Sequence, residues 1–414
     1  MSTPCTATPE DDSIELEPPA PHPGDVPRTT TAPVPSGSTA VARWPLIVEA
    51  RLWRLGMRTG MLIHRLAPPR PPSPSFRLRV PTTLSPRRGR IDLVFYTPQG
   101  YRRGSRERWP VIVNFHGGGF VLGGPEDDAR WAAAVVSKAR AVVVSVGYRR
   151  APENPFPTAV EDGADAMLYL IDHAVELSLD PDRLGTSGFS AGGNMALTAT
   201  LRLEDALLRR AGSSSQNYTA SHRSAVKLIV AWYPPLDYTC PRADRIASCS
   251  RPDKTLPAFF TKLFDSSYLH PPRDIMLDSP YLSPGIASDT LLGLLPNELL
   301  LYLCRWDMLC AEGERFRNRM KALGKSVGGR TIEDVAHAWD RSPNPLHTDK
   351  VMEEVYDEAC AEIRRVLKVP SVHDKVTTHA PRDVLDATKR RLLRNEACDS
   401  TSTLAVPHHG QDTA

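Results

Sequence analysis

From about Arg90 onward the chain alternates between two patterns. Short apolar runs of strand length are "RIDLVFYTP", "RWPVIVNFHGGGF", "AVVVSVGYR", "DRLGTSGFS", "AVKLIVAWYPPLD" and "NELLLYLCRWD". Between them lie segments of helical periodicity: "ARWAAAVVSKAR", "AVEDGADAMLYLIDHAVEL", "AGGNMALTATLRLEDALL" and "EGERFRNRMKALGK". Strands that are apolar throughout need cover on both faces, and intervening helices supply it. The order therefore predicts an α/β fold with a mostly parallel central sheet and helices on both faces. No internal repeat competes with this reading. In such a sheet, active groups gather at the C-terminal ends of the strands.

The flanks read differently. Residues 1–41 are rich in Pro, Thr, Ser and acidic groups and cannot bury enough apolar surface to order themselves. From Ala42 to Leu66, Leu46, Ile47, Ala50, Trp53, Leu55, Met57, Met61 and Leu62 recur at helical spacing, punctuated by Arg51, Arg54, Arg58 and Arg65. A basic amphipathic helix of this kind either packs its apolar face over the main domain, the reading adopted, or lies on a membrane surface. "APPRPPSPSF" then breaks the helix and acts as a stiff linker. After Leu367 the chain turns polar and low in complexity. The division is a disordered tail (1–41), a helix with a proline-rich linker (42–89), the α/β domain (90–369) and a polar tail (370–414).

Composition excludes several functions. A formal net charge of +3, with 51 basic and 48 acidic residues, gives no drive toward nucleic acid, and no recognition motif accompanies the basic cluster Arg102–Arg108. The seven cysteines, with no CxxC pair, indicate neither a disulfide framework nor a zinc site. The N-terminus lacks the apolar core of a signal peptide, and no apolar run reaches the roughly 18 residues of a membrane span. A cytoplasmic protein is expected, with the sequon at Asn217 unmodified. Oligomeric state is not legible.

Three strand ends carry chemistry. "SGFSAGGN" fits Gly-x-Ser-x-Gly between a strand and a helix, with Ser190 between Gly188 and Gly192. Such an elbow strains the turn so that the hydroxyl stands clear above a helix N-terminus. "NFHGGGFVLGG" follows another strand, with His116, Gly117, Gly118 and Gly119 in its turn. Three glycines cost conformational entropy, which a close backbone approach offsets. Peptide N–H groups of Gly118, Gly119 and Ala191 would then form an oxyanion hole, each worth about 3 kcal/mol of barrier. Asp307 ends the strand "LLLYLCRW", and His337 lies thirty positions on in "VAHAWD". Glu312, inside a helical stretch, and Asp340, beyond the histidine, are rival acids. The order serine, acid, histidine favours Asp307.

"HGGGF", "YRRAPENPFPTAVEDG", "GFSAGGN", "WDMLCAEG" and "HAW" occur together and in order. With these motifs the chain resembles the hormone-sensitive-lipase group of α/β-hydrolases, which includes bacterial and fungal esterases, arylacetamide deacetylase and plant carboxylesterases. The resemblance runs from Pro110 to Leu367. It implies an α/β-hydrolase fold with a cap formed by the helix at 42–66 and a second piece near 240–275. It also implies Ser190 as nucleophile, Asp307 as acid, His337 as base, and oxyanion donors at Gly118, Gly119 and Ala191, with no metal or cofactor. The chain departs from the group at Phe189, where Asp is usual, and at Arg150, where Leu is usual. Glu153 and Arg149 are expected to serve structure through a buried network. The implied activity is hydrolysis of small or medium carboxylic esters. Rivals are a tailoring hydrolase or lactonase of one secondary metabolite, and a non-catalytic ligand receptor on the same fold.

Overall fold

A computed structural model describes residues 42–66, 70–212, 224–341 and 349–369. The expected tails at 1–41 and 370–414 and the sequon at Asn217 lie outside the described residues. The strands are β1 (Phe76–Pro81), β2 (Arg90–Tyr96), β3 (Trp109–Phe115), β4 (Val142–Gly147), β5 (Leu179–Phe189), β6 (Val226–Trp232), β7 (Glu298–Trp306), β8 (Ser326–Gly328) and β9 (Thr331–Ala336). They form one sheet in the order β1-β2-β4-β3-β5-β6-β7-β8, with β9 pairing β7 beyond β8. Only the β1–β2 and β2–β4 pairings are antiparallel. All seven residues of β3 are buried, so both faces of the sheet are covered there, as a strand without polar alternation requires.

The helices that cover it are α2 (Ala129–Ala134), α3 (Thr158–Asp172), α4 (Ala191–Arg210), α8 (Cys310–Ala322) and α9 (Lys350–Val366). Helix α3 packs on α4 and α2 on α9. Shorter helices α5 (Arg242–Ala247), α6 (Ala258–Tyr268) and α7 (Asp289–Gly293) fall between β6 and β7. Helices α5 and α6 occupy the stretch near 240–275.

The sheet begins earlier than the change of pattern at Arg90 predicts. β1 lies inside the stretch read as linker and pairs in register from Phe76 against Phe95 to Pro81 against Arg90. Its apolar residues Phe76, Leu78 and Val80 point inward and alternate with exposed Arg77 and Arg79. Three apolar residues beside a proline run are too short a pattern to stand out.

Helix α1 spans Arg43–Leu66. It buries Leu46, Ala50 and His64 against the domain and stacks Trp53 on α6, 5.3 Å from Phe259 and 4.7 Å from Phe260. Arg54 fastens it, donating to the Val121 and Ala151 carbonyls at 2.8 and 2.6 Å and pairing with Glu153 at 2.8 Å. The opposite side of the helix faces solvent with Trp44, Val48, Leu52, Leu55, Leu62 and Leu66.

Candidate active site

β5 ends at Phe189 and α4 begins at Ala191, which leaves Ser190 alone in the turn with φ 54° and ψ −119°. A non-glycine residue there is strained, and the surroundings hold it in place. Its N–H donates to the Trp232 carbonyl at 2.8 Å, and its carbonyl accepts from the Asn194 N–H at 3.1 Å. The flanking glycines are required by contact. A Cβ on Gly188 would lie 2.1 Å from the Gly192 carbonyl oxygen, and one on Gly192 would lie 1.9 Å from that of Phe115.

The structure brings the three separated residues together. His337 Nε2 is 2.8 Å from Ser190 Oγ, and His337 Nδ1 is 2.6 Å from Asp307 Oδ2. The side chains of His337 and Asp307 are only 4% and 2% exposed. A carboxylate facing Nδ1 fixes the proton on that nitrogen and leaves Nε2 free to accept from the hydroxyl. The Leu309 N–H, donating to Asp307 Oδ1 at 3.1 Å, orients the carboxylate in turn. The rival acids are engaged elsewhere. Asp340 accepts from the hydroxyls of Tyr233 and Tyr356 at 2.6 and 2.9 Å. Glu312 accepts from the Leu236 N–H at 2.7 Å and meets Arg245 at 3.0 Å, while burial pushes its carboxyl up to about 7.

The glycine loop runs alongside the serine: a Cβ on Gly117 would stand 3.6 Å from Ser190 Cβ. Gly118 and Gly119 adopt φ of +108° and +61°, which favour glycine. A Cβ on Gly119 would come within 2.2 Å of the Phe264 ring, so α6 presses directly on this loop. Ala191 is the first residue of α4, so its N–H has no partner within the helix. His116 is buried, stacks on Tyr148 with ring centres 4.1 Å apart, and points Nδ1 at the Gly117 carbonyl at 2.8 Å. Burial holds its pKa down to about 3, so the ring is neutral and shapes the turn rather than carrying charge.

Above Ser190 lies a cavity of about 200 Å³, walled by Met57 and Met61 of α1, by Leu122, and by Leu256, Phe260 and Phe264. Sequence reasoning named none of these as site residues. The two methionines share one helix face, but nothing in the sequence says what that face covers. Tyr233, edge-on to His337 at 4.8 Å, was missed for the same reason. Among the described residues, no group of three or more His, Cys, Asp or Glu converges as a metal site.

Behind the elbow, Phe189 makes aromatic contacts. Its ring lies parallel to Trp232 at 5.3 Å and carries the Arg341 guanidinium 4.2 Å from its centre. Arg341 also meets Asp128 at 2.6 Å and Asp340 at 3.2 Å. Burial pushes the Asp128 carboxyl up to about 6 against the pull of Arg341. Arg150, the other departure, donates to the Gly123 carbonyl and lines a second cavity, of about 260 Å³, that shares Met57 and Met61 with the first. Arg149 pairs with buried Asp162 at 2.6 Å, while Glu153 reaches outward to Arg54 of α1.

A family model described as the α/β hydrolase fold matches residues 112–341. An AB hydrolase superfamily protein of Schizosaccharomyces pombe is 44% identical over 88 residues, covering 21% of this chain and 26% of that protein. An arylesterase of Saccharolobus solfataricus is 28% identical over 242 residues, 58% of this chain and 72% of that one. The match thus spans about a quarter of the first relative's length and about seven-tenths of the second's. Among solved structures, a Pyrobaculum calidifontis esterase superposes with a TM-score of 0.61 at 28% identity, covering 76% of this chain and 92% of that one.

Proposed function

The chain belongs to the α/β-hydrolase fold family, in its hormone-sensitive-lipase-like group, and from that premise we propose that it is a serine carboxylesterase working through Ser190, His337 and Asp307. The observation that carries the reading is the unbroken hydrogen-bond path from Ser190 Oγ through His337 to Asp307.

His337 Nε2 takes the hydroxyl proton as Ser190 Oγ attacks the ester carbonyl. Asp307 holds the ring in the accepting tautomer and stabilises the imidazolium that forms. The carbonyl oxygen becomes an oxyanion, and the N–H groups of Gly118, Gly119 and Ala191 receive it. The tetrahedral species collapses, His337 gives its proton to the departing alkoxide, and an acyl-Ser190 ester remains. Water, deprotonated by His337, repeats the sequence and releases the acid. The apolar cavity above Ser190 supports small or medium apolar acyl or alcohol groups as substrate. A receptor on this fold would not need a base bonded to the serine, and that bond favours the enzyme.

A fluorophosphonate probe tests this directly, because only an activated serine reacts readily. Intact mass should show one adduct, and peptide mapping should place it on Ser190. Ser190→Ala should abolish it. Asp307→Asn should lower kcat about 10⁴-fold. An adduct on another serine, or a larger loss in Asp340→Asn than in Asp307→Asn, would overturn the assignment.

A further inference from the structure

Helix α1 is two-sided in a way the catalytic site does not use. At 100° per residue, Leu46, Ala50, Met57, Met61 and His64 fall on the side facing the domain. Trp44, Val48, Leu52, Leu55, Leu62 and Leu66 fall on the opposite side within an arc of about 80°, and each is 50 to 70% exposed. Soluble surfaces scatter single apolar residues; a continuous stripe along a helix about 36 Å long marks a contact surface.

Charge identifies what the stripe contacts. Arg51, Arg58 and Arg65 stand seven residues apart, so they form a row along one edge of the stripe. Arg51 and Arg65 keep side chains 71% and 43% exposed despite contacts to Glu153 and Glu126. Arg58, also exposed, has no carboxylate within ion-pair distance among the described residues. A second copy of this surface would bring the same cations again, whereas an anionic headgroup layer complements them. The five arginines along α1 make it a helix that lies on a bilayer rather than one that crosses it.

We propose that α1 docks the protein on anionic phospholipid surfaces. The apolar stripe enters the boundary between headgroups and acyl chains, and Arg51, Arg58 and Arg65 meet lipid phosphate and carboxylate groups. Because Met57 and Met61 on the other side wall the cavity above Ser190, docking brings that cavity to the membrane surface, where apolar molecules concentrate. The two arrangements weighed for this helix therefore coexist: one face serves the domain and the other the lipid.

The test is flotation of the full chain with phosphatidylcholine vesicles, with and without about 30 mol% phosphatidylserine. The protein should float with the anionic vesicles and release as salt rises, since surface attraction is screened within a Debye length. Leu52→Glu/Leu55→Glu should cut the bound fraction at least about tenfold. Arg51→Glu/Arg58→Glu should remove the preference for phosphatidylserine. Circular dichroism and Tm confirm that each variant is folded. Failure of the full chain to float with either vesicle, or flotation unchanged in the stripe variant, overturns the proposal. A dimer in sedimentation that the stripe variant dissolves, without vesicle binding, assigns the surface to a second copy and also overturns it.

Discussion

At the scale of single residues, the members of the proposed triad were legible and the groups that support them were not. Ser190, Asp307 and His337 each sit in a short motif whose spacing predicts a strand end, and the structure puts them within hydrogen-bond reach of one another. Arg341 carries no such signal, because its partners Asp128, Phe189 and Asp340 converge only after folding. Removing it strands two buried carboxylates, so Arg341→Met should cost about 3–5 kcal/mol in stability, read from urea denaturation. A loss under 1 kcal/mol would mean the ion pairs contribute little. His116 predicts a pH effect. An unfolded chain protonates this ring near pH 6.5, while the folded chain keeps it neutral down to about pH 3. The unfolded state binds more protons throughout that window, so His116 makes stability fall as pH drops below 6.5 and contributes nothing above it. Asp128 and Glu312, with raised pKa values, act in the opposite sense, so the difference between two proteins isolates the histidine. His116→Phe keeps a flat ring on Tyr148 and should make the slope of stability against pH less steep by up to about 1.4 kcal/mol per unit between pH 4 and 6. Parallel slopes for the two proteins would contradict this.

At the scale of elements, the long periodic segments were readable and the short ones were not. β3 through β7 and the helices α2, α3 and α4 follow runs of six or more residues with one clear pattern. β1 has three inward residues and β8 only three residues in all, too few for a period to declare itself. Helix α6 was anticipated as an insertion, but its contact with the glycine loop depends on Phe264 reaching Gly119, a pairing that no local pattern encodes. Helix α1 was legible as amphipathic, yet the sequence could not say which of its apolar residues face the domain and which face solvent. Its inward methionines offer a measurement. Met57→Ala/Met61→Ala should reduce kcat/KM progressively along a p-nitrophenyl ester series from acetate to dodecanoate, by up to about 0.8 kcal/mol for each CH₂ that loses cover. A uniform loss at every chain length would mean the methionines do not line the acyl path.

At the scale of the whole molecule, order of elements was enough to give a mostly parallel sheet, because wholly apolar strands must be covered on both faces and helices lie between them. Stability is not spread evenly over that plan. The central strands β3, β6 and, from Leu184 on, β5 are buried almost throughout and paired on both edges, whereas α1 touches the rest along one side. Amides of α1 should therefore exchange hydrogen faster than those of β3 and β5 by orders of magnitude in native-state exchange read by mass spectrometry. Equal protection would show that α1 opens only with the core. Arg341 has a consequence on this scale too. One guanidinium binds the segment after the glycine loop, the residue before Ser190 and the turn after His337, stretches that lie far apart in the chain. Such sites do not vary independently. Replacing Phe189 with aspartate would remove the ring beneath Arg341 and bring a third carboxylate to Asp128 and Asp340, so the four positions should answer substitution as a set, and a lone exchange at 189 would meet neighbours arranged for an aromatic ring.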